Sequence, residues 1–177
     1  MKVLSDTGVL YPTLLRQIVI GSAKAGLFEP FWSQGILDEW RHAMTRDGDE
    51  GRVAVEAEIA LLTAGFPKAK IDVSDGFEET LYLPDPDDRH VLAAAIEGGC
   101  GELLTLNLRD FPARTLNVHG ILLRDPDGFL VEFLSTNPGI TRRTVEAAVT
   151  DARLRKPDVT ERGLLKRARL PRLGKAL

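Results

Sequence analysis

One cysteine among 177 residues excludes an internal disulfide and any cysteine-cluster metal site. That residue, Cys100, stands in "EGGCGELL", a helix-to-strand turn, and reads as a small half-buried thiol. No apolar run is long enough to span a bilayer, and the N-terminus lacks a signal-peptide pattern. A cytoplasmic protein that makes no use of a membrane is therefore expected. Histidine is scarce as well. His42, His90 and His119 are far apart, and no H-E-x-x-H spacing supports a zinc helix. His42 and His90 are expected on solvated helix faces. Repeats and low-complexity segments are absent. What remains is the composition of an ordinary globular protein, long enough to bury a core in one domain with at most a small appendage.

The net charge of −3 conceals an asymmetry. Residues 141–177 hold eleven Lys/Arg against four Asp/Glu, a balance of about +7, so the remainder is about −10. A basic tail on an acidic body is compatible with nucleic acid, with an acidic partner, or with the protein's own acidic surface.

Short apolar runs alternate with helical stretches. Residues 2–5, 102–105, 120–123 and, less distinctly, 70–73 read as buried parallel strands. Helices are marked by their start and stop signals. Pro12 opens a segment that closes at Gly26, and Ser33 caps "QGILDEWRHAM". "GRVAVEAEIALLTAG" closes at Gly65, and "DRHVLAAAIEGG" follows a Pro/Asp turn. "DPDGFLVEFL" is a further helix. In the tail, Thr141 or Thr144 can cap "VEAAVTDARLR", and Thr160 opens "ERGLLKRARL". This pattern predicts an α/β fold with a mostly parallel sheet. Residues 1–137 form the domain, and residues 138–177 a basic helical C-terminal extension.

In open α/β sheets, ligands bind beyond the carboxyl ends of the strands. The polar residues falling there are Asp6 and Thr7 after the first strand, and Thr105, Asn107 and Asp110 after "ELLTL". Asp88 opens a helix behind Asp85 and Asp87. On the wheel of "ILDEWRHAM", Ile36, Leu37, Trp40 and Met44 form the buried stripe. Glu39 lies nearer its edge than Asp38 does. Carboxylates gathered at one sheet edge repel, and Mg²⁺ or Mn²⁺ relieves the repulsion while bridging to phosphate. Each residue also has a plainer reading. Asp88 can cap its helix, Asp85 and Asp87 can be turn residues, Asp110 can form an Asx-turn, and Glu39 can be a surface glutamate. Asp6 is the hardest to explain that way, since a carboxylate beside a buried strand is costly unless it is paired or metal-bound.

"VLSDTGVLYP", "ILDEW", "LPDPDDRHVLAAAI" and "LLTLNLRDFP", in that order over residues 1–135, resemble the PIN-domain family, particularly the VapC-like bacterial toxins. The resemblance implies a three-layer α/β/α domain and a Mg²⁺- or Mn²⁺-dependent endoribonuclease. Its product would be a 5′-phosphate and a 3′-hydroxyl. It implies Asp6, Asp88 and Asp110 as metal-holding residues and Glu39 as the fourth catalytic acid. Thr7, Thr105 and Asn107 are supporting polar groups. Asp87 rivals Asp88, and Asn107 rivals Asp110. An RNA substrate, an antitoxin and a homodimer are the implied partners. Arg89, Arg109, Arg114 and the tail from Arg153 to Lys175 are candidates to grip the RNA backbone. Many relatives carry Asn two residues after the first Asp, where this chain has Gly8. The same position lacks the second Asp that a haloacid-dehalogenase-type phosphatase needs. A receiver domain would need an early acidic pair and a late lysine, and neither is evident. The alternative from another class is a weak or inactive PIN-like domain that binds RNA or a partner protein.

Overall fold

A computed structural model describes residues 1–177. Its centre is a five-stranded sheet in which every pairing is parallel. In chain order the strands are β1 (Lys2–Ser5), β2 (Glu29–Ser33), β3 (Lys70–Ile71), β4 (Glu102–Leu104) and β5 (Leu122–Arg124). In space the order is β3-β2-β1-β4-β5. β1 is thus central, and the order reverses between β1 and β4, where open parallel sheets place their ligands.

Successive strand residues point to opposite faces, and each face meets its own helical layer. Leu4 and Leu103 join one core cluster, whereas Val3 and Leu104 join the other. The helices are α1 (Thr7–Leu10), α2 (Thr13–Lys24), α3 (Gln34–Met44), α4 (Gly48–Gly65), α5 (Arg89–Glu97), α6 (Ala113–Val118), α7 (Pro126–Thr136), α8 (Pro138–Arg155), α9 (Glu161–Arg167) and α10 (Pro171–Ala176). α3, α4 and α5 cover the first face with Trp40, Ile59, Leu62, Val91 and Leu92. α2 and α7–α10 cover the second with Leu15, Ile18, Phe129, Val149, Leu165 and Leu173. At about 1.5–3 kcal/mol for each fully buried large apolar side chain, both layers are essential to stability.

Three readings are corrected. β2 escapes the sequence pattern because "EPFWS" contains Pro30, which cannot donate to a ladder. Glu29 N donates to Met1 O and Trp32 N to Ala69 O, so alternation turns position 30 toward the β3 side. The two-residue β3 begins only at Lys70, opposite Trp32, and no donor is needed at Pro30. Second, β5 is displaced to Leu122–Arg124, because Gly120, at φ 69°, still belongs to the turn leaving α6. Third, neither Thr141 nor Thr144 caps α8. Pro138 occupies its first turn, and Thr141 is fully buried inside the helix.

The C-terminal helices are tied down in detail. A Cβ on Gly21 of α2 would stand 2.7 Å from Thr144 Cγ2, so α2 and α8 approach over a glycine. The buried Asp127 of α7 accepts from the backbone N–H groups of Arg172 and Leu173, both at 2.9 Å, which pins α10. Cys100 is more buried than a half-exposed thiol, at 4% exposure, and burial pushes its pKa up to about 11.

Candidate active site

β1 ends at Ser5, and Asp6 caps α1 by accepting from Thr7 N at 2.6 Å. Its backbone N–H stays in the sheet, donating to Leu104 O at 3.0 Å. From the end of β4, the fully buried Thr105 donates through Oγ1 to Asp6 Oδ2 at 2.8 Å. Both oxygens of a carboxylate only 8% exposed therefore have donors. Burial raises the Asp6 pKa. The Thr105 and Thr7 bonds oppose that, yet it stays above the ordinary carboxylate value. Gly8 lies within α1, and a Cβ there would meet nothing closer than Leu106 Cβ at 3.9 Å.

Thr7 links the strand end to α3, its Oγ1 donating to Glu39 Oε2 at 2.6 Å. Glu39 Oε1 lies 2.7 Å from His90 Nε2 on α5. Burial would raise the Glu39 pKa, but the His90 and Thr7 bonds and the His90 charge hold it below the usual value. Burial would lower His90, but the Glu39 bond and charge, with that of Asp6, hold it above. Asp38, by contrast, points outward to Gln34 and Arg41.

The Asp88 side chain makes no capping hydrogen bond to α5. Its Oδ2 is buried without a partner. Carboxylate oxygens of Asp85, Asp88 and Asp110 all lie within 4.8 Å of one another. Burial and the charges of Asp6, Asp85, Asp110 and Glu39 push the Asp88 pKa up to about 6. Asp85 also accepts from Asp87 N at 2.9 Å, holding the turn before α5. Asp110, in the turn after β4, accepts a short hydrogen bond from Asn107 Nδ2. The Asn107 N–H donates to Thr105 Oγ1 at 3.0 Å.

The site thus has two joined parts: a hydrogen-bonded line from Thr105 through Asp6, Thr7 and Glu39 to His90, and a carboxylate triplet beside it. The triplet contains Asp88 and Asp110 with Asp85, while Asp6 and Glu39 act on it through their charge. This donor set fits a hard divalent cation, since three carboxylates and an unpartnered buried oxygen are costly without one. The sequence allows Asp85 a turn role and leads one to expect His90 on a solvated helix face, whereas Asp85 also joins the triplet and His90 turns inward. The His90 side chain is only 19% exposed, because Gly35 leaves room for its ring. A Cβ at Gly35 would stand 2.8 Å from His90 Nδ1. No spacing rule signals that contact, which joins residues 51 positions apart.

A cleft of about 720 Å³ opens beside the site, lined by Glu39, His42, Arg46, Asp87, Arg89 and His90 among others. Arg109 and Arg114 are exposed and form no ion pair. A more apolar cavity of about 480 Å³, lined by Leu27, Phe28, Phe31 and Phe66, lies beside Met1 at the opposite edge of the sheet.

A family model described as PIN domain matches residues 2–109, more than half of the chain. No curated protein and no solved structure matches it. The matched span contains Asp6, Glu39, Asp85 and Asp88 and ends one residue before Asp110.

Proposed function

The chain belongs to the PIN-domain family, and on that premise we propose that it is a Mg²⁺- or Mn²⁺-dependent endoribonuclease. The family is one of nucleases. The single observation that carries the reading is the approach of Asp85, Asp88 and Asp110 to within 4.8 Å, with Asp88 pushed up to about 6.

Asp88 and Asp110, with Asp85 and the adjacent Asp6, would hold the cation. When bound, a divalent ion polarises a phosphoryl oxygen and makes hydroxide accessible near neutral pH. The protein's own contribution is orientation and charge. Thr105 and Thr7 N hold Asp6 ionisable at a buried position. Glu39, kept anionic by His90 and Thr7, completes the acidic ring and is the group to orient an attacking water. Asn107 steadies Asp110. Arg89, Arg109 and Arg114 offset the repulsion between this ring and RNA phosphates. The role of a VapBC-type toxin, held by an antitoxin and acting as a homodimer, rests on the resemblance of residues 1–135. The room at Gly8 does not favour the inactive-binder alternative, because Asp6 is oriented by Thr105 and Thr7 without an amide at position 8.

The test is cleavage of a single-stranded RNA panel with Mn²⁺, with and without EDTA, by wild type, Asp6→Asn and Asp88→Asn. Cleavage by wild type alone, and only without EDTA, is expected. Equal cleavage by all three proteins would remove the site from consideration.

A further inference from the structure

Most of the charge of the C-terminal helices is not spent on the protein's own acidic surface. Of the eleven basic residues in 141–177, only Arg155 and Arg172 pair with acidic side chains. Three of the eleven converge. Arg155 and Lys156 at the end of α8, and Arg167 at the end of α9, line a groove of about 320 Å³ whose other wall is Pro12, Thr13 and Leu14. The groove lies at the site's end of the fold. Pro12 follows Tyr11, the closing residue of the helix that Asp6 opens, so it begins about one and a half turns from the carboxylate. Arg16 fixes this corner by donating to Leu10 O at 2.6 Å and Tyr11 O at 3.1 Å, and the charge of Arg155 reaches Arg16. Tyr11 itself is 40% exposed and stands in the chain between Asp6 and the groove residue Pro12.

We infer that this groove is the track for single-stranded RNA leaving the acidic site, with its phosphates on the unpaired Lys156 and Arg167 and a base stacked on Tyr11. The inference rests on the nuclease reading and adds to it a part of the chain outside the family match. The acidic ring repels the polyanion it cuts, so affinity has to come from cations close by. A basic groove joined to an exposed aromatic is how proteins hold single strands without reading sequence. An acidic polypeptide would satisfy the cations, but it has no use for the tyrosine or for the closeness of the carboxylates.

The experiment is binding of a fluorescent single-stranded RNA oligonucleotide to the full chain in EDTA, over a range of salt. Lys156→Gln/Arg167→Gln is compared with Tyr11→Ala and with Arg52→Gln, an exposed control on α4. All these positions are at the surface, and melting curves check their folding. The double variant is expected to bind about tenfold more weakly, with a log–log salt slope shallower by about 1.4. Tyr11→Ala is expected to lose about tenfold with an unchanged slope. Arg52→Gln should match wild type. Unchanged RNA affinity in the double variant overturns the track, and more so if that variant loses binding to poly-glutamate. Because binding is read without metal, loss of affinity in a protein that never cleaves would uphold the track while the nuclease reading fails.

Discussion

His90 Nε2 stands 2.7 Å from Glu39 Oε1, joining the first turn of α5 to the middle of α3. With Thr7 on the other oxygen, Glu39 is held from two sides at the mouth of the site. His90 depends in turn on the bare backbone of Gly35.

Removing the imidazole should leave Glu39 held by Thr7 alone. His90→Ala is expected to cut the cleavage rate about tenfold, and Gly35→Ala to do the same by displacing the ring. The pair's contribution to stability also has a pH signature. His90 is raised above 6.5, so its share is complete below that value and fades as pH climbs through the folded pKa. Glu39 is lowered below 4.5, so its share is complete above that value and fades as pH falls through the folded pKa. The difference in melting temperature between wild type and His90→Ala should therefore be greatest between about pH 4.5 and 6.5. A flat difference would remove the ion pair from the account.

Asp88 is an acid whose folded pKa is raised, from 3.8 to about 6, so it costs stability as pH rises through that interval. Asp88→Asn should stabilise the metal-free protein above pH 6 by about 1 kcal/mol, allowing for solvent screening. Mn²⁺ should raise the melting temperature of wild type and leave that of Asp88→Asn nearly unchanged. A metal-free variant less stable than wild type at pH 7 would contradict the charge crowding at the triplet.

Thr105→Val keeps the shape and removes both the donor to Asp6 Oδ2 and the acceptor of the Asn107 N–H. Leaving a buried acceptor unpaired costs about 1–3 kcal/mol. The Asp6 carboxyl, already raised, should rise further, and the acid limb of the cleavage–pH profile should move upward. A profile superimposable on that of wild type would show that the Thr105 bond does not tune the site.

Asp127→Ala releases the N–H groups of Arg172 and Leu173 and frees α10 from α7. Urea unfolding should register a loss of about 2–3 kcal/mol, the scale of hydrogen bonds to a buried charge. The variant should still cleave RNA in conditions where it is folded, because none of the acidic ring depends on that contact.

Legibility in the sequence followed the range of the forces involved. An apolar run ending in Asp6 and the glycine-closed helices are local patterns, and the parallel α/β architecture could be read from them. Pro30 obscured β2, because whether a missing donor matters depends on where the neighbouring strand begins. Asp85 looked like a turn residue and is one, since it holds Asp87 N, but its second role requires Asp110 from across the sheet edge. His90 follows Asp88 by two places on a helix whose solvated face could not be told from the face turned to α3.

The sequence by itself determined the elements other than β2, their alternation and the acids at the strand ends, because burial and chain direction are encoded locally by period and by capping residues. Only the tertiary structure decided which carboxylates share a site, that His90 bonds Glu39, and that the cations of α8 and α9 share a groove with Pro12, Thr13 and Leu14. Each of those depends on through-space distance between segments far apart in the chain, and that distance is set by how the two helical layers pack on β1.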